Sequence, residues 1–204
     1  MSEIYMKKKQ MVLAEDSSDE EDKSPMISCE GNRVSFHSDV DQKSCFKLIE
    51  CLREAQKYVA LQSAMNEFEE MGKIYLHIFS NGGELHCAFH VADFILKSKV
   101  GIVTVCEGCV ASAGTVISLA GKERYIRENA YMLIHEIRSG YMGTYSELID
   151  DMSNNDIIMK HMKKYMNERC KNDKLAKKLE KILTHDHIWN AKKSLKYGLV
   201  DKIV

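Results

Sequence analysis

VGIVTVCEGCVASAG, residues 100–114, joins an apolar run to a cluster of very small side chains. Val100–Val105 has the length and β-branched character of a buried strand. After only Cys106 and Glu107, GCVASAG (108–114) sets one hydroxyl, Ser112, among Ala111, Ala113 and Gly114. An apolar helix over Thr115–Ala120 follows. Small residues at such a junction let a helix pack tightly on a sheet. They also clear space for a substrate carbonyl to reach the serine oxygen. On this stretch alone both readings stand.

The same strand–turn–helix order occurs upstream. Ile74–Phe79 reads as a buried strand, SNGG (80–83) as a turn and Phe89–Leu96 as a helix. Before them, Arg33–Phe36 suits a short strand. Asp41 to about Gly72 has helical spacing, since Cys45, Leu48, Ile49, Leu52 and Ala55 recur at three and four residues. Asp41 suits the cap of this helix, and 59–72 reads as a loop plus a second turn. Downstream, Arg124–Ile126 and Ala130–His135 read as strands. Tyr145–Asn172 reads as a long amphipathic helix built on Leu148, Ile149, Met152, Ile157, Met159 and Met162, and Leu175–Leu183 as a shorter one. SLKYGLVDKIV (194–204) gives a helix stop at Gly198 and a closing strand. Alternating strands and helices with continuous apolar strands predict an α/β domain, its helices flanking a sheet.

The 204 residues suffice for one domain with a full core. Lys and Arg number 29 against 30 Asp and Glu, so no basic excess marks a nucleic-acid partner. Seven cysteines, an odd number without framework spacing, fit free thiols in a reducing compartment. No stretch approaches the roughly 18 apolar residues of a membrane span, and no apolar signal region follows the basic N-terminus. A cytoplasmic protein without a membrane partner is expected. AEDSSDEEDKSP (14–25) holds six acidic residues within Glu15–Asp22. It cannot bury enough apolar surface to offset its ordering entropy, so it reads as disordered. Residues 1–32 are accordingly an N-terminal segment and 33–204 the domain.

The chemistry-bearing residues fall around these turns. Paired glycines in SNGG let backbone N–H groups approach a ligand without Cβ interference. A serine at the first turn of a helix sits where unpaired N–H groups favour developing negative charge. Alone, SNGG is a turn and ASAG a packing surface; together they can supply a nucleophile and an oxyanion hole. His135, ending AYMLIH (130–135), is placed to act as general base, and THDH (184–187) offers Asp186 to orient it. Val110 stands where the GxSxG elbow requires glycine. Metal readings are weaker. Cys106 and Cys109 have CxxC spacing without a second pair. His86 and His90 lack the glutamate of HExxH, and His185 and His187 merely bracket Asp186. No metal or other cofactor is expected, and the absence of a Walker motif implies no ATP hydrolysis by the chain itself.

IYLHIFSNGG, TVCEGCVASAGTVISLAGKERYI, AYMLIHE and YGLVDKI together resemble the proteolytic subunit of the Clp protease, the ClpP-like serine peptidases. That family runs strand–SPGG–helix, strand–GxAASMG–helix, strand–MIHQP and a YGL(I/V)D close. The resemblance covers about residues 33–204. It implies the ClpP/crotonase-like fold of repeated β-β-α units with a long C-terminal helix region. It also implies Ser112 as nucleophile, His135 as general base, Asp186 as orienting acid, and the backbone N–H groups of Gly83 and Ala113 as the oxyanion hole. The activity implied is ATP-dependent serine endopeptidase cleavage of unfolded proteins or short peptides inside an oligomeric chamber. The partners implied are a homo-oligomeric ring, one heptamer or two stacked, and an AAA+ ATPase unfoldase.

Departures from the family pattern are Asn81 for the SPGG proline, Cys109 and Val110 for Gln and Ala, Ala113 for Met, and HEI (135–137) for HQP. The arginine that precedes the catalytic aspartate and joins ring stacking is His185 here. Residues between Asp41 and Lys73 exceed the usual length, consistent with a longer first helix. Two other readings compete: an inactive or regulatory ring subunit or capsid-assembly component, and a crotonase-like acyl-CoA enzyme, which would not need Ser112.

Overall fold

The computed structural model describes residues 26–65 and 72–204. The acidic run 14–25 and the tail of the first helical stretch, 66–71, lie outside the described residues. Strand β1 (Met26–Glu30) is antiparallel to β2 (Arg33–His37), which leads through helix α1 (Gln42–Met65) to β3 (Ile74–Ser80). Helix α2 (Leu85–Leu96) connects to β4 (Ile102–Ala111), and α3 (Ala113–Leu119) to β5 (Glu123–Ile126). Strands β2 to β5 run parallel in the order 2-3-4-5, each crossover being a helix, as parallel pairing requires. The closing strand β8 (Lys202–Ile203) adds in parallel beside β5.

α1 buries the faces the periodicity marked: Cys45, Leu48, Ile49, Leu52 and Ala55, with Val59 one turn beyond. Asp41 caps this helix. Its Oδ1 accepts from Ser44 N–H at 2.6 Å, and Ser44 Oγ accepts from Asp41 N–H at 3.0 Å. The helix is continuous to Met65, with no break after residue 59. Against it lie Val34, Phe36, Leu76, Ile78 and Ile102, all almost fully buried.

β4 is longer than its apolar run suggests. It continues through GCVA and divides its partners: Val103–Cys106 pair with β5, whereas Cys109–Ala111 pair with the short strand β6 (Tyr131–Leu133). The bend falls at Gly108, whose φ of +56° is a left-handed value that glycine adopts without strain. Facing it, the register of β3 against β4 shifts between Ile78 and Ser80. β6 in turn pairs antiparallel with β7 (Ile188–Asn190).

Helix α4 (Tyr145–Cys170) starts with a Thr144/Glu147 capping box and stops at Lys171, in a left-handed conformation at φ +45°. The stretch 175–183 is two short helices, α5 (Asp173–Ala176) and α6 (Leu179–Leu183), before β7 and α7 (Ala191–Lys196). The apolar stripe on α4 is real but divided. Met162 is buried, while Leu148, Ile149, Met152 and Ile157 are 40%, 48%, 70% and 62% exposed. Among the described residues no helix is long and apolar enough to cross a membrane.

The sheet face away from the helices carries a charged group of side chains. Glu107 Oε1 accepts from His77 Nδ1 at 2.7 Å and from Arg127 Nε at 3.3 Å. Burial holds the His77 imidazole below its ordinary range, outweighing the pull of Glu107. Burial would raise the Glu107 carboxyl, but the His77 hydrogen bond and Arg127 together hold it below its usual value. His77 is therefore neutral near pH 7, donating its Nδ1 proton. Both groups bind protons less readily folded than unfolded, so their stabilisation is complete above the unfolded values and is lost as pH falls through the folded ones. The midpoint of thermal unfolding is expected to fall on acidification from about pH 7 to about pH 4. In His77→Gln the upper part of that slope should flatten, and in Glu107→Gln the lower part, as read by scanning calorimetry across pH.

Candidate active site

Ser112 stands at the end of β4, where the strand turns into α3. Its backbone has φ +51° and ψ −123°, a conformation that costs a non-glycine residue about 1–3 kcal/mol. The surroundings hold it there. Ser112 N–H donates to Leu133 O of β6 at 2.9 Å, and Ser112 O accepts from Thr115 N–H at 2.9 Å and from Thr115 Oγ1 at 2.5 Å. The effect is to lift the hydroxyl clear of the strand. Among the described residues Ser112 Oγ makes no hydrogen bond.

The SNGG turn fits beneath this serine. A Cβ on Gly82 would lie 2.6 Å from Ser112 Cβ, and one on Gly83 only 2.2 Å from Val40 O. Both glycines have positive φ, +103° and +139°. Val40 N–H donates to Gly82 O, and Glu84 N–H to Val40 O, each at 2.7 Å. This one-residue parallel bridge uses the backbone groups on either side of Gly83. The N–H of Gly83 itself takes no part in this bridge. Ala113, first residue of α3, has no carbonyl four residues back within the helix to receive its N–H. At Gly114 a Cβ would come within 3.2 Å of Ser80 Cβ, so the small residue brings α3 close to the end of β3.

A cleft of about 680 Å³ opens over these groups and is lined by Gly83, Ser112, Ala113 and His135 together. Val116, Ile134, Ile137, Ile158, Met162 and Met166 make an apolar wall, with Glu84, His86 and Asn155 as polar points. His135 follows β6 directly, and the next residue is fixed by Glu136 N–H donating to Leu183 O at 2.9 Å. Its side chain is only 11% exposed.

Asp186 is the less well-placed member. Its Oδ1 lies 4.0 Å from His135 Nδ1, outside hydrogen-bond range, and its other oxygen is engaged by Arg138. Asp186 itself is half exposed and does not line the cleft. A movement of about 1 Å would close the gap to His135. The neighbouring His185 and His187 stack on each other, 5.2 Å between centroids.

The residues that sequence reasoning missed are those without a chemical signature. Val40 acts through its backbone, Leu133 through its carbonyl, and Thr115 as the clasp on Ser112. Arg138 was detectable only as a charge three residues beyond His135. Cys106 is buried against α3 with its sulfur 3.0 Å from Ser118 Oγ, while Cys109 lies beyond the Gly108 bend, half-buried beside β6. Burial raises both thiols, Cys106 to about 12, so neither is an activated nucleophile.

The Clp protease family matches residues 50–204. A curated relative, the ATP-dependent Clp protease proteolytic subunit 2 of Treponema denticola, is 31% identical over 151 residues, covering 73% of this chain and 74% of the relative. This chain belongs to the Clp protease family. As a Clp protease it is a serine endopeptidase. The fold agrees: a solved mutant of ClpP1 from Listeria monocytogenes superposes with a TM-score of 0.67 at 19% identity, covering 85% of this chain and 91% of that one. The eight-stranded mixed sheet with its C-terminal helical region is thus the Clp protease fold.

Proposed function

We propose that Ser112, His135 and Asp186 carry out peptide hydrolysis as a catalytic triad, with Gly83 and Ala113 N–H groups as the oxyanion hole. The observation that carries this reading is the single cleft shared by Gly83, Ser112, Ala113 and His135. Ser112 Oγ adds to the peptide carbonyl as His135 takes its proton, and the oxyanion is held by the two backbone donors. His135 then protonates the leaving amine, and water releases the acyl-enzyme by the reverse proton path. The substrates are unfolded chains or short peptides, an apolar side chain resting on the wall beside Met162 and Met166.

A fluorophosphonate probe tests the assignment. The wild type should be labelled at Ser112 and Ser112→Ala should not; equal labelling of both, or none of the assembled wild type, overturns it. Asp186→Asn is expected to lower kcat by about 10²–10⁴-fold with KM little changed, because the imidazole loses its orienting acceptor. Arg138→Ala, freeing the same carboxylate, should leave kcat equal or raise it.

The chain is further read as the subunit of a homo-oligomeric ring, one heptamer or two stacked, served by an AAA+ unfoldase in the cytoplasm. In support, the first half of α4 exposes Leu148, Ile149, Met152 and Ile157 on one helix, an apolar surface that the single chain leaves uncovered. The relative's printed description, an ATP-dependent proteolytic subunit, supports the unfoldase. The domain boundary at residue 33 is kept for the peptidase, with β1 as an N-terminal addition to its sheet.

A further inference from the structure

A second depression, about 780 Å³, lies between α1 and the C-terminal half of α2, away from Ser112. Arg53, Lys57, Lys97 and Lys99 border it, against a single carboxylate, Asp93. Among the described residues none of these four cations forms an ion pair. The Arg53 guanidinium lies 5.6 Å from the centre of the Phe94 ring, which supports it from below and leaves its donor edge open. The floor is tied together: Gln56 Nε2 donates to Ser98 Oγ at 2.7 Å, and Ser98 Oγ to Val100 O at 2.6 Å. Four like charges gathered on a built floor, with Asp93 their one carboxylate neighbour among the described lining residues, mark a surface for an anionic chain.

The chain carries such a segment itself. Glu15, Asp16, Asp19, Glu20, Glu21 and Asp22 put six carboxylates into eight residues, with only Ser17 and Ser18 between them. The described chain begins at Met26 of β1, and the far end of β1 rests on α1, where a Cβ on Gly31 would meet the Tyr58 ring at 3.2 Å. From Met26, Asp22 can reach about 13–14 Å and Glu15 about 36–40 Å when extended. Passing round α1 to the Arg53 and Lys57 side means skirting a helix about 10–12 Å across. The extended segment exceeds that diameter.

We propose that residues Glu15–Asp22 dock on the basic groove formed by Arg53, Lys57, Lys97 and Lys99. The contact is electrostatic, carboxylate on guanidinium and ammonium, and weakens with salt. It occupies a different part of α2 from the cleft and does not depend on the peptidase reading.

Carbodiimide coupling of carboxylates to lysines on the full-length chain, mapped by mass spectrometry, tests it. Residues 15–22 should couple mainly to Lys57, Lys97 and Lys99. At 1 M NaCl the yield should fall at least about tenfold. Arg53→Glu, which reverses one groove charge without removing a coupling amine, should lower the yield at all three lysines. Mixing isotopically distinct chains tells whether the segment reaches its own groove or that of a neighbouring copy; either result supports the assignment. Coupling spread over lysines in proportion to their exposure, or confined to Lys7–Lys9 and Lys23, overturns it. So does a groove that captures added polyglutamate while leaving its own segment uncoupled, which would give the groove to an acidic partner.

Discussion

Replacing Ser112 by alanine is expected to reduce peptide hydrolysis by about 10³–10⁶-fold while the protein stays folded, since in the proposed mechanism its oxygen is the atom that bonds to substrate. Alanine keeps the Cβ and hence the strained backbone at φ +51°, so the unfolding midpoint should move little. Ser112→Gly separates the two roles of this position. It removes the same hydroxyl, but glycine adopts the φ and ψ of the turn freely, so the variant should be equally inactive yet more stable by about 1 kcal/mol. Fluorogenic peptide turnover and chemical denaturation, measured on both variants, decide the matter. Substantial turnover by either one would remove Ser112 from the chemistry. Stabilisation by glycine alone would show that the serine is kept for reaction at the expense of the fold.

The second large effect is expected at a residue with no side chain. Gly83→Ala would place a methyl group 2.2 Å from Val40 O, and backbone rather than a flexible side chain must yield. The shift breaks the two 2.7 Å hydrogen bonds of the Val40 bridge and moves the backbone of Gly83, which lines the cleft. A loss of about 3–5 kcal/mol follows, about 10 °C in the unfolding midpoint, along with at least about 10²-fold in kcat/KM. Gly140→Ala is the matched control, because nothing lies within 4 Å of a Cβ there. Calorimetry and peptide turnover on the pair should separate a general dislike of alanine from the particular crowding at Gly83. Equal, small effects at both positions would mean that the bridge is softer than its distances imply.

Much of this was legible where structure is local. The three-and-four spacing of Cys45, Leu48, Ile49 and Leu52 is the buried face of α1, and the Asp41 cap rests on a residue three places on. Ser112 and His135 were open to plainer readings as packing and polar residues. The order and spacing of the motifs around them, with their resemblance to a family, singled them out as candidates, and the structure brings both to one cleft. What was hidden depends on partners distant in sequence. GCVA reads as a turn because small side chains and Gly108 mimic one; only pairing with Tyr131–Leu133 makes it strand. β1, MISCE, lacks an apolar run, and its pairing depends on β2. The hold of Arg138 on Asp186 joins two loops 48 residues apart and leaves no local trace. On α4 the stripe was visible, but the sequence does not say that its first half would lack a cover within the chain.

The divided partnership of β4 also joins the two sides of the cleft through one short seam. Ser112 closes the far half of β4, which pairs with β3 at Ser80 and with β6 at Cys109–Ala111, and not with β5. His135 follows β6, which pairs antiparallel with the sequence-distant β7 and is joined to β4 through three residue pairs. Because Ser112 N–H donates to Leu133 O of β6, opening that narrow seam would shift His135 and release the strained turn of Ser112 together. Amide exchange in β6 and at Ser112 should therefore rise together while β3 stays protected.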